Sequence, residues 1–215
     1  MDFSIIAEYL PRYFDATLLT LRIAFFGTVY ALILGLVCSL VQYLRVPVAR
    51  QIVTAYVELS RNTPLLVQLF FIYFGLPKLG IVWSSENCAI IGLTFLGGSY
   101  MAEAFRSGFE SVEKIQMESA RSLGMKTSTA IRYVLLPQAL AVALPGITAN
   151  IVFLIKETSV VSIIALPDLM FVTKDIIGTD YNTWIALGML VVFYLIILLP
   201  ISLIAGKVER RMRHV

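Results

Sequence analysis

The sequence contains little charge and few of the residue types that enzymes use for chemistry. Of its 215 residues, only 14% are Asp, Glu, Lys or Arg, whereas 59% are hydrophobic. A soluble domain of this size needs more charge to cover its surface. The apolar residues also lie in long blocks, which is typical of helices that cross a bilayer. The sequence therefore predicts an all-α integral membrane protein, with residues 1–215 forming a single domain.

Cysteine and histidine are scarce too. Cys38 and Cys88 lie in or beside apolar blocks at a spacing that fits neither a metal site nor a disulfide framework, so both are predicted to be buried. The single histidine, His214, lies in a basic tail and is expected to be solvated. No metal site and no nucleophile–base pair is predicted. The first ten residues carry acids rather than a basic segment, so we expect no cleavable signal peptide.

A phosphate-binding loop is also missing. The nearest match, GMKT at 124–127, lacks the glycine directly before the lysine and the glycine-rich turn that would surround a phosphate. We therefore expect this chain to bind no ATP, no Mg and no other cofactor.

Five apolar blocks are each close to the roughly 20 residues that cross the hydrocarbon core. These predicted spans are 17–43, 53–76, 88–104, 134–157 and 184–205. Residues 4–14, which contain Pro11, predict a separate, short interfacial helix. A further apolar run, 160–166, is too short to cross alone, and either continues the fourth span or forms a re-entrant segment.

Most lysine and arginine residues fall on one side of these spans, which predicts the cytoplasmic side. The N-terminus is then outside and the C-terminus inside. The residues on the basic side are Arg45, Arg50, Arg61, Arg106, Lys114, Arg121, Lys126, Arg132, Lys207, Arg210, Arg211 and Arg213. The first span also carries a small residue at every fourth position, which predicts close approach of another helix. This stripe consists of Gly27, Ala31, Gly35 and Ser39.

The longest cytoplasmic segment, about 106–132, shows helical spacing. It predicts a short helix over 112–123 that ends at Gly124, and a second over 128–134. An ordinary amphipathic linker would show the same periodicity. The specific residues favour a docking role: Glu118, Ser119 and Ala120, then Gly124, then Leu136 and Pro137. This pattern resembles the Glu-Ala-Ala loop of ABC importer permeases, with Ser119 at the second motif position and Val134 in place of the usual isoleucine.

Other segments are similar to the polar amino-acid branch of these permeases, which includes histidine, glutamine, arginine and glutamate systems. They are NTPLLVQLFFIYFGLP (62–77), SYMAEAFR (99–106), RYVLLPQAL (132–140) and LIKETSVVS (154–162). The resemblance implies the type I ABC importer fold, five spans, and a bacterial cytoplasmic (inner) membrane location. It also implies several partners: a dimeric ATPase that binds ATP and Mg, a second permease subunit (identical or homologous), an extracytoplasmic binding protein and an amino-acid substrate. Nucleic acid is not an expected partner.

The resemblance further implies that the loop forms a coupling helix on the ATPase subunit. Its predicted contacts are Glu118, Ser119, Ala120, Gly124 and Met125. The short side chain of Ala120 and the glycine at 124 would permit close approach of the partner.

Polar groups inside apolar spans are the candidates for substrate binding, because they are costly to bury. They are Glu157, Asn150, Ser159, Thr158, Lys156, Gln68 and Tyr100. Lys156 and Glu157 match the carboxylate and ammonium of an amino acid, but they equally fit a structural ion pair. Asn150 occupies a position where many relatives carry an acid, which favours a neutral or acidic polar amino acid over a strongly basic one.

Two other classes of membrane protein were weighed. A secondary transporter or channel needs inverted repeats or a ring of pore-lining charges, and neither is visible. A membrane-embedded enzyme needs an acid–base or metal cluster at one depth. Lys156 and Glu157 are too few for that.

Overall fold

The computed structural model describes residues 3–212, in which every regular element is a helix and no strand occurs. Arg213 and His214 lie outside the described residues. The helices are α1 (Phe3–Tyr43), α2 (Ala49–Arg61), α3 (Leu65–Phe70), α4 (Ser85–Ser111), α5 (Lys114–Ser122), α6 (Thr127–Ala130), α7 (Leu136–Glu157), α8 (Leu169–Asp180) and α9 (Thr183–Met212).

Helix α1 runs without a break through Pro11, so the predicted separate helix over residues 4–14 is wrong. Packing outweighs the missing backbone donor of the proline. Tyr13 is fully buried, and its hydroxyl donates to the carbonyl oxygen of Ala186 at 2.8 Å. The same hydroxyl lies 2.9 Å from that of Thr173. These contacts hold the first turns of α1 against α8 and α9.

The small-residue stripe of α1 packs against α4, as the sequence predicts. A Cβ atom added at Gly27 would lie 2.9 Å from the Cβ of Leu93. One added at Gly97 of α4 would lie 2.8 Å from the Cβ of Ala31. Gly35 packs equally closely against Met101. Because neither helix has room for larger side chains at these positions, the two backbones approach closely along most of the α1–α4 contact.

The predicted second span is divided. Helix α2 ends at Arg61, Pro64 precedes α3, and the chain then continues through a π-helical segment, Phe71–Gly75, and a 3-10 segment, Leu76–Leu79. Within residues 3–212, four helical segments are long and apolar enough to cross a membrane: Ile5–Tyr43, Ser85–Ser111, Thr127–Ile164 and Thr183–Arg210. The structure thus contains four of the predicted spans as continuous helices. It does not confirm the remaining one, 53–76.

The apolar run after α7 continues the fourth span. A 3-10 segment, Thr158–Ile164, follows α7 directly and ends at Ala165, which has a positive φ of 56°. Asp168 then caps α8 by accepting the backbone N–H groups of Met170 at 3.2 Å and Phe171 at 2.9 Å. Burial raises the pKa of Asp168 from 3.8 to about 6. Burial therefore makes this carboxyl easier to protonate than an exposed aspartate.

Candidate functional site

The break between α2 and α3 is held by Gln68. Its amide nitrogen donates to the carbonyl oxygens of Ser60 at 3.1 Å and Thr63 at 3.0 Å. Carbonyl groups at the end of a helix lack intrahelical partners, so a side-chain donor that reaches them stabilises the interruption. Gln68 is buried and does not line the cleft described next.

A cleft of about 370 Å³ opens where this break meets α4 and α7. Two of the predicted binding residues, Tyr100 and Glu157, line it. The others in its lining are Arg61, Asn62, Thr63, Pro64, Leu65, Leu66, Leu96, Phe153 and Val160. The cleft thus combines one cationic group, one anionic group and a proline-broken helix. Broken helices in membranes present free backbone groups to ligands.

Arg61 also lines the cleft, although the sequence analysis did not include it among the candidate binding residues. Its guanidinium carbon lies 5.5 Å from the ring centroid of Tyr100, within the range of a cation–π contact. It also lies near Glu103, with 3.3 Å between Nη1 and Oε2. In the sequence, Arg61 lies inside a predicted span and close to Pro64. The sequence analysis counted its charge only in assigning the orientation of the spans.

Glu103 connects the cleft to a second arginine. Arg106 donates to both carboxylate oxygens of Glu103, at 3.1 Å and 2.8 Å, in a fork-to-fork pair. Arg106 also contacts Glu110 one turn later, at 2.8 Å. A row of alternating charges therefore extends from the cleft along α4 towards its C-terminal end.

Lys156 and Glu157 do not form the ion pair that the sequence left open. Lys156 is exposed and outside the cleft lining, whereas Glu157 is half-buried within it. Among residues 5–210, whose side chains the structure describes, none forms an ion pair or a side-chain hydrogen bond with the Glu157 carboxylate. Glu157 is therefore the acid in the cleft that is available to a ligand.

The remaining predicted binding residues lie outside the cleft lining. The amide nitrogen of Asn150 donates to the carbonyl of Tyr100 at 3.2 Å, which fixes α7 against α4. Thr158 is fully buried and donates to the carbonyl of Ile155 at 2.7 Å. Ser159 is half-buried, and its carbonyl accepts the Ser162 hydroxyl at 3.1 Å. None of the three lines the cleft.

The segment between α4 and α6, residues 112–126, is shorter than predicted because α4 continues beyond Arg106 to Ser111. We refer to it as the 112–126 loop. Helix α5 ends in a Schellman motif: Gly124 N–H donates to the carbonyl of Arg121 at 2.9 Å, and Met125 N–H to that of Ala120 at 3.1 Å. Gly124 has a φ of 80°, a left-handed conformation that glycine adopts without strain. Its role here is to end the helix.

The five residues predicted to contact a partner face different ways. Ala120 is only 3% exposed and packs in the core of this chain, as does the partly buried Met125. Glu118, Ser119 and Gly124 are exposed. Ala120 therefore packs the loop against the spans of its own chain.

Two exposed apolar side chains join the outward face of this loop. Ile115 is 57% exposed and Leu123 is 80% exposed. Large apolar side chains exposed beside polar groups are typical of protein interaction sites. The periodicity of the sequence included both residues, but only their exposure shows that they point away from the chain.

Comparison with known proteins identifies the family. The model of the binding-protein-dependent transport system inner membrane component family matches residues 14–214. The chain belongs to this family, which makes it a multi-pass membrane component of an ABC transporter rather than an enzyme.

Individual relatives agree with this assignment. The chain is 34% identical over 207 residues to the probable glutamine ABC transporter permease protein GlnP of Bacillus subtilis (strain 168), covering 95% of each chain. It is 31% identical to the glutamine transport system permease protein GlnP of Escherichia coli (strain K12), covering 99% of this chain and 98% of the relative. The chain is therefore an amino-acid ABC importer permease subunit.

Solved structures show the same fold. A structure described as an amino acid ABC transporter with histidines superposes with a TM-score of 0.88 at 30% identity, covering 98% of this chain and 99% of that one. An inward-facing structure of the MetNI methionine ABC transporter gives a TM-score of 0.81 at 19% identity, which supports the fold alone. The architecture is the type I ABC importer permease fold, as the sequence predicts.

Proposed function

We propose that this chain forms the translocation path of an ATP-driven uptake system for a neutral or acidic polar amino acid. The observation that carries the proposal is the cleft at the α2–α3 break, where Arg61 and Glu157 face the same space. An amino acid bears a carboxylate and an ammonium, and this pair offers one partner for each. The relatives named for glutamine transport are consistent with such a cargo.

The charge balance of the cleft supports the substrate class. Arg61 would pair with the α-carboxylate of the substrate and Glu157 with its α-ammonium. The lining then contains no second acid that could pair with a basic side chain of the substrate. The amide nitrogen of Asn150 donates to the backbone carbonyl of Tyr100. A strongly basic substrate would leave its side-chain charge unpaired inside the membrane.

The topology that fits this role has five spans, with the N-terminus outside and the C-terminus inside. Helix α2, the Pro64 break and the segment Leu65–Leu79 together form the remaining crossing. This arrangement places the 112–126 loop and the C-terminal basic residues in the cytoplasm, in agreement with the distribution of lysine and arginine. The membrane is the bacterial cytoplasmic (inner) membrane.

Coupling to ATP occurs through the 112–126 loop. A dimeric ATPase subunit that binds ATP and Mg contacts Glu118, Ser119, Ile115 and Leu123, all of which are exposed. Closure of that dimer moves the loop, and the spans alternate between outward and inward access. A second permease subunit, identical or homologous, completes the path, and an extracytoplasmic binding protein delivers the substrate.

Two measurements test the proposal. The chain is purified with its co-encoded neighbours, and ATPase activity is measured with and without binding protein and amino acid. We expect the binding protein and the amino acid to stimulate ATPase activity. An ATPase rate that is the same with and without them would contradict the coupled mechanism. Uptake into proteoliposomes then compares Glu157→Gln with Glu8→Gln, an exposed control on α1. Only the cleft variant should lose uptake while remaining assembled.

Uptake without any ATPase subunit would instead support a self-contained secondary transporter or channel. Normal uptake by the Glu157→Gln protein would remove Glu157 from the site.

A further inference from the structure

Two apolar grooves lie on the side of α4 that faces away from the cleft. One, of about 590 Å³, runs between α1 and α4 and includes Phe26, Tyr30 and Leu34. The other, of about 550 Å³, runs between α4 and the broken segment and includes Val67, Phe71 and Leu76. Both are bounded by Trp83, Ile91 and Phe95, which form a ridge between them.

The α1–α4 groove shares no lining residue with the proposed translocation path, whereas the groove along the broken segment borders it at Thr63. Ile91 borders both grooves, and Tyr100 lines the cleft. The two residues are about two and a half turns apart along α4, at about 3.6 residues per turn, so they project from opposite sides of the helix. A molecule in the α1–α4 groove therefore does not occupy the cleft, and one in the second groove meets the cleft only at Thr63.

The α1–α4 groove has a charged mouth. Arg22 Nε lies 2.9 Å from Glu86 Oε1, and both residues line the groove. The Arg22 side chain is 63% exposed and that of Glu86 is 27% exposed. Glu86 lies in the first turn of α4, and Trp83 precedes the helix with 41% exposure. Tryptophan and charged groups at the end of a spanning helix mark the level of lipid headgroups.

We propose that this surface binds one two-chain phospholipid whose headgroup carries a primary ammonium. The phosphate contacts Arg22, the ammonium donates hydrogen bonds to Glu86, and the two acyl chains lie in the two grooves on either side of the Trp83–Ile91–Phe95 ridge. Charge complementarity carries the assignment. A cation beside an anion matches a phosphate beside an ammonium, and paired apolar grooves that meet at one ridge match two chains joined at one glycerol. An apolar helix from a second subunit would match the grooves but not the charged mouth.

The test is native mass spectrometry of the full-length protein in its purified assembly. The protein is delipidated in detergent and then exposed to dioleoyl phosphatidylethanolamine, phosphatidylcholine or phosphatidylglycerol. We expect the wild-type protein to retain phosphatidylethanolamine in preference to phosphatidylcholine, because a quaternary ammonium cannot donate a hydrogen bond to Glu86. Arg22→Gln should weaken retention of all three lipids by about tenfold, the scale of one charge-assisted hydrogen bond. Glu86→Gln should abolish the preference between the two zwitterionic lipids.

The matched control is the ion pair of Arg12 with Asp175, which also joins α1 to another helix but lines neither groove. Arg12→Gln should leave lipid retention unchanged. If a variant elutes as misfolded protein, Arg22→Lys and Glu86→Asp take its place, and retention of the wild-type preference by both is expected. A preference that survives Glu86→Gln overturns the proposal. So does equal loss in the Arg12 variant, or a change in subunit stoichiometry in the Arg22 variant without any change in bound lipid.

Discussion

The guanidinium group of Arg61 lies over the ring of Tyr100, with 5.5 Å between its central carbon and the ring centroid. Arg61 comes from the helix before the Pro64 break, and Tyr100 comes from the middle of α4. Their contact therefore forms part of the wall of the cleft that Glu157 also lines. Because Glu103 also contacts Arg61, the cation is held in place before any substrate arrives.

Replacing Arg61 tests this geometry. Arg61→Lys keeps the charge but loses the planar group that stacks on the ring and pairs with Glu103, so we expect substrate uptake to fall by about tenfold or more. Arg50→Lys, at an exposed position on α2, is the matched control and should transport normally. Uptake of radiolabelled amino acid into proteoliposomes measures both. Equal rates for the two variants would show that Arg61 does not contact the substrate.

The outward face of the 112–126 loop should control coupling. Leu123→Asp and Glu118→Lys each change an exposed residue, so the protein should fold and insert normally while substrate-stimulated ATPase activity is lost. Ser111→Asp, at an exposed position before the loop, is the control. Stimulation that persists in both loop variants would exclude this face as the docking surface.

Gly124 should matter for stability rather than for contact with a partner. Gly124→Ala places a Cβ in a left-handed conformation, at a cost of about 1–2 kcal/mol, although the site itself is open. Gly178→Ala, in helix α8 where a Cβ also meets open space, should be neutral or slightly stabilising. Thermal unfolding in detergent compares the two. An unchanged melting temperature for Gly124→Ala would argue that the Schellman motif does not limit stability.

Gln68 should behave as a structural residue. Gln68→Leu leaves the carbonyls of Ser60 and Thr63 without their side-chain donor, which should cost about 1–3 kcal/mol of stability. Gln138→Leu, at an exposed position on α7, is the control. If Gln68→Leu instead raises the Michaelis constant for substrate without lowering the melting temperature, Gln68 belongs to the binding site.

Asp168 predicts a dependence of stability on pH. Its pKa is about 6 in the folded protein and 3.8 ordinarily, so the folded state binds more protons between these values. Its contribution to stability is therefore greatest below about pH 4 and falls as the pH rises through about 6. Asp168→Asn keeps a side-chain acceptor for the α8 cap and does not ionise.

Melting curves across this pH range check the prediction. The Asn variant should be the more stable protein at about pH 7.5, and the difference should disappear at about pH 4. Asp15→Asn, at an exposed position on α1, shows how much of the change comes from surface charge alone. A constant difference between the Asp168 variant and the wild-type protein would mean that Asp168 does not titrate in this range.

Much of the fold follows from sequence pattern, because apolar block length and small-residue spacing act locally. The α1–α4 packing, the long helices and the end of α5 at Gly124 are examples. The failures have tertiary causes. Packing of Tyr13 keeps α1 helical through Pro11, and the amide of Gln68 stabilises a break that apolar composition does not reveal.

The candidate site was less predictable than the fold, because the orientation of each side chain determines whether it lines the cleft. Lys156 and Glu157 are adjacent in sequence, yet only Glu157 lines the cleft. Arg61 and Tyr100 lie far apart in the chain, and their contact depends on how the broken segment packs against α4. Likewise, the sequence places Ala120 and Leu123 on one short helix, but burial alone separates the residue that holds the loop from the residue that faces outward.

The burial of Met117 and Ala120 gives the 112–126 loop a mechanical property. Helix α5 packs in the same core as Leu135, the residue directly before α7, so it is not a flexible linker between two spans. If its outer face were displaced, a flexible linker would change its own shape and leave the spans in place. Because this element is fastened to the interior, a shift imposed on Leu123 has to appear as movement of the helices beneath it. The rigidity of the contact between α5 and the core therefore determines how much of a displacement of the loop is transmitted to the spanning helices.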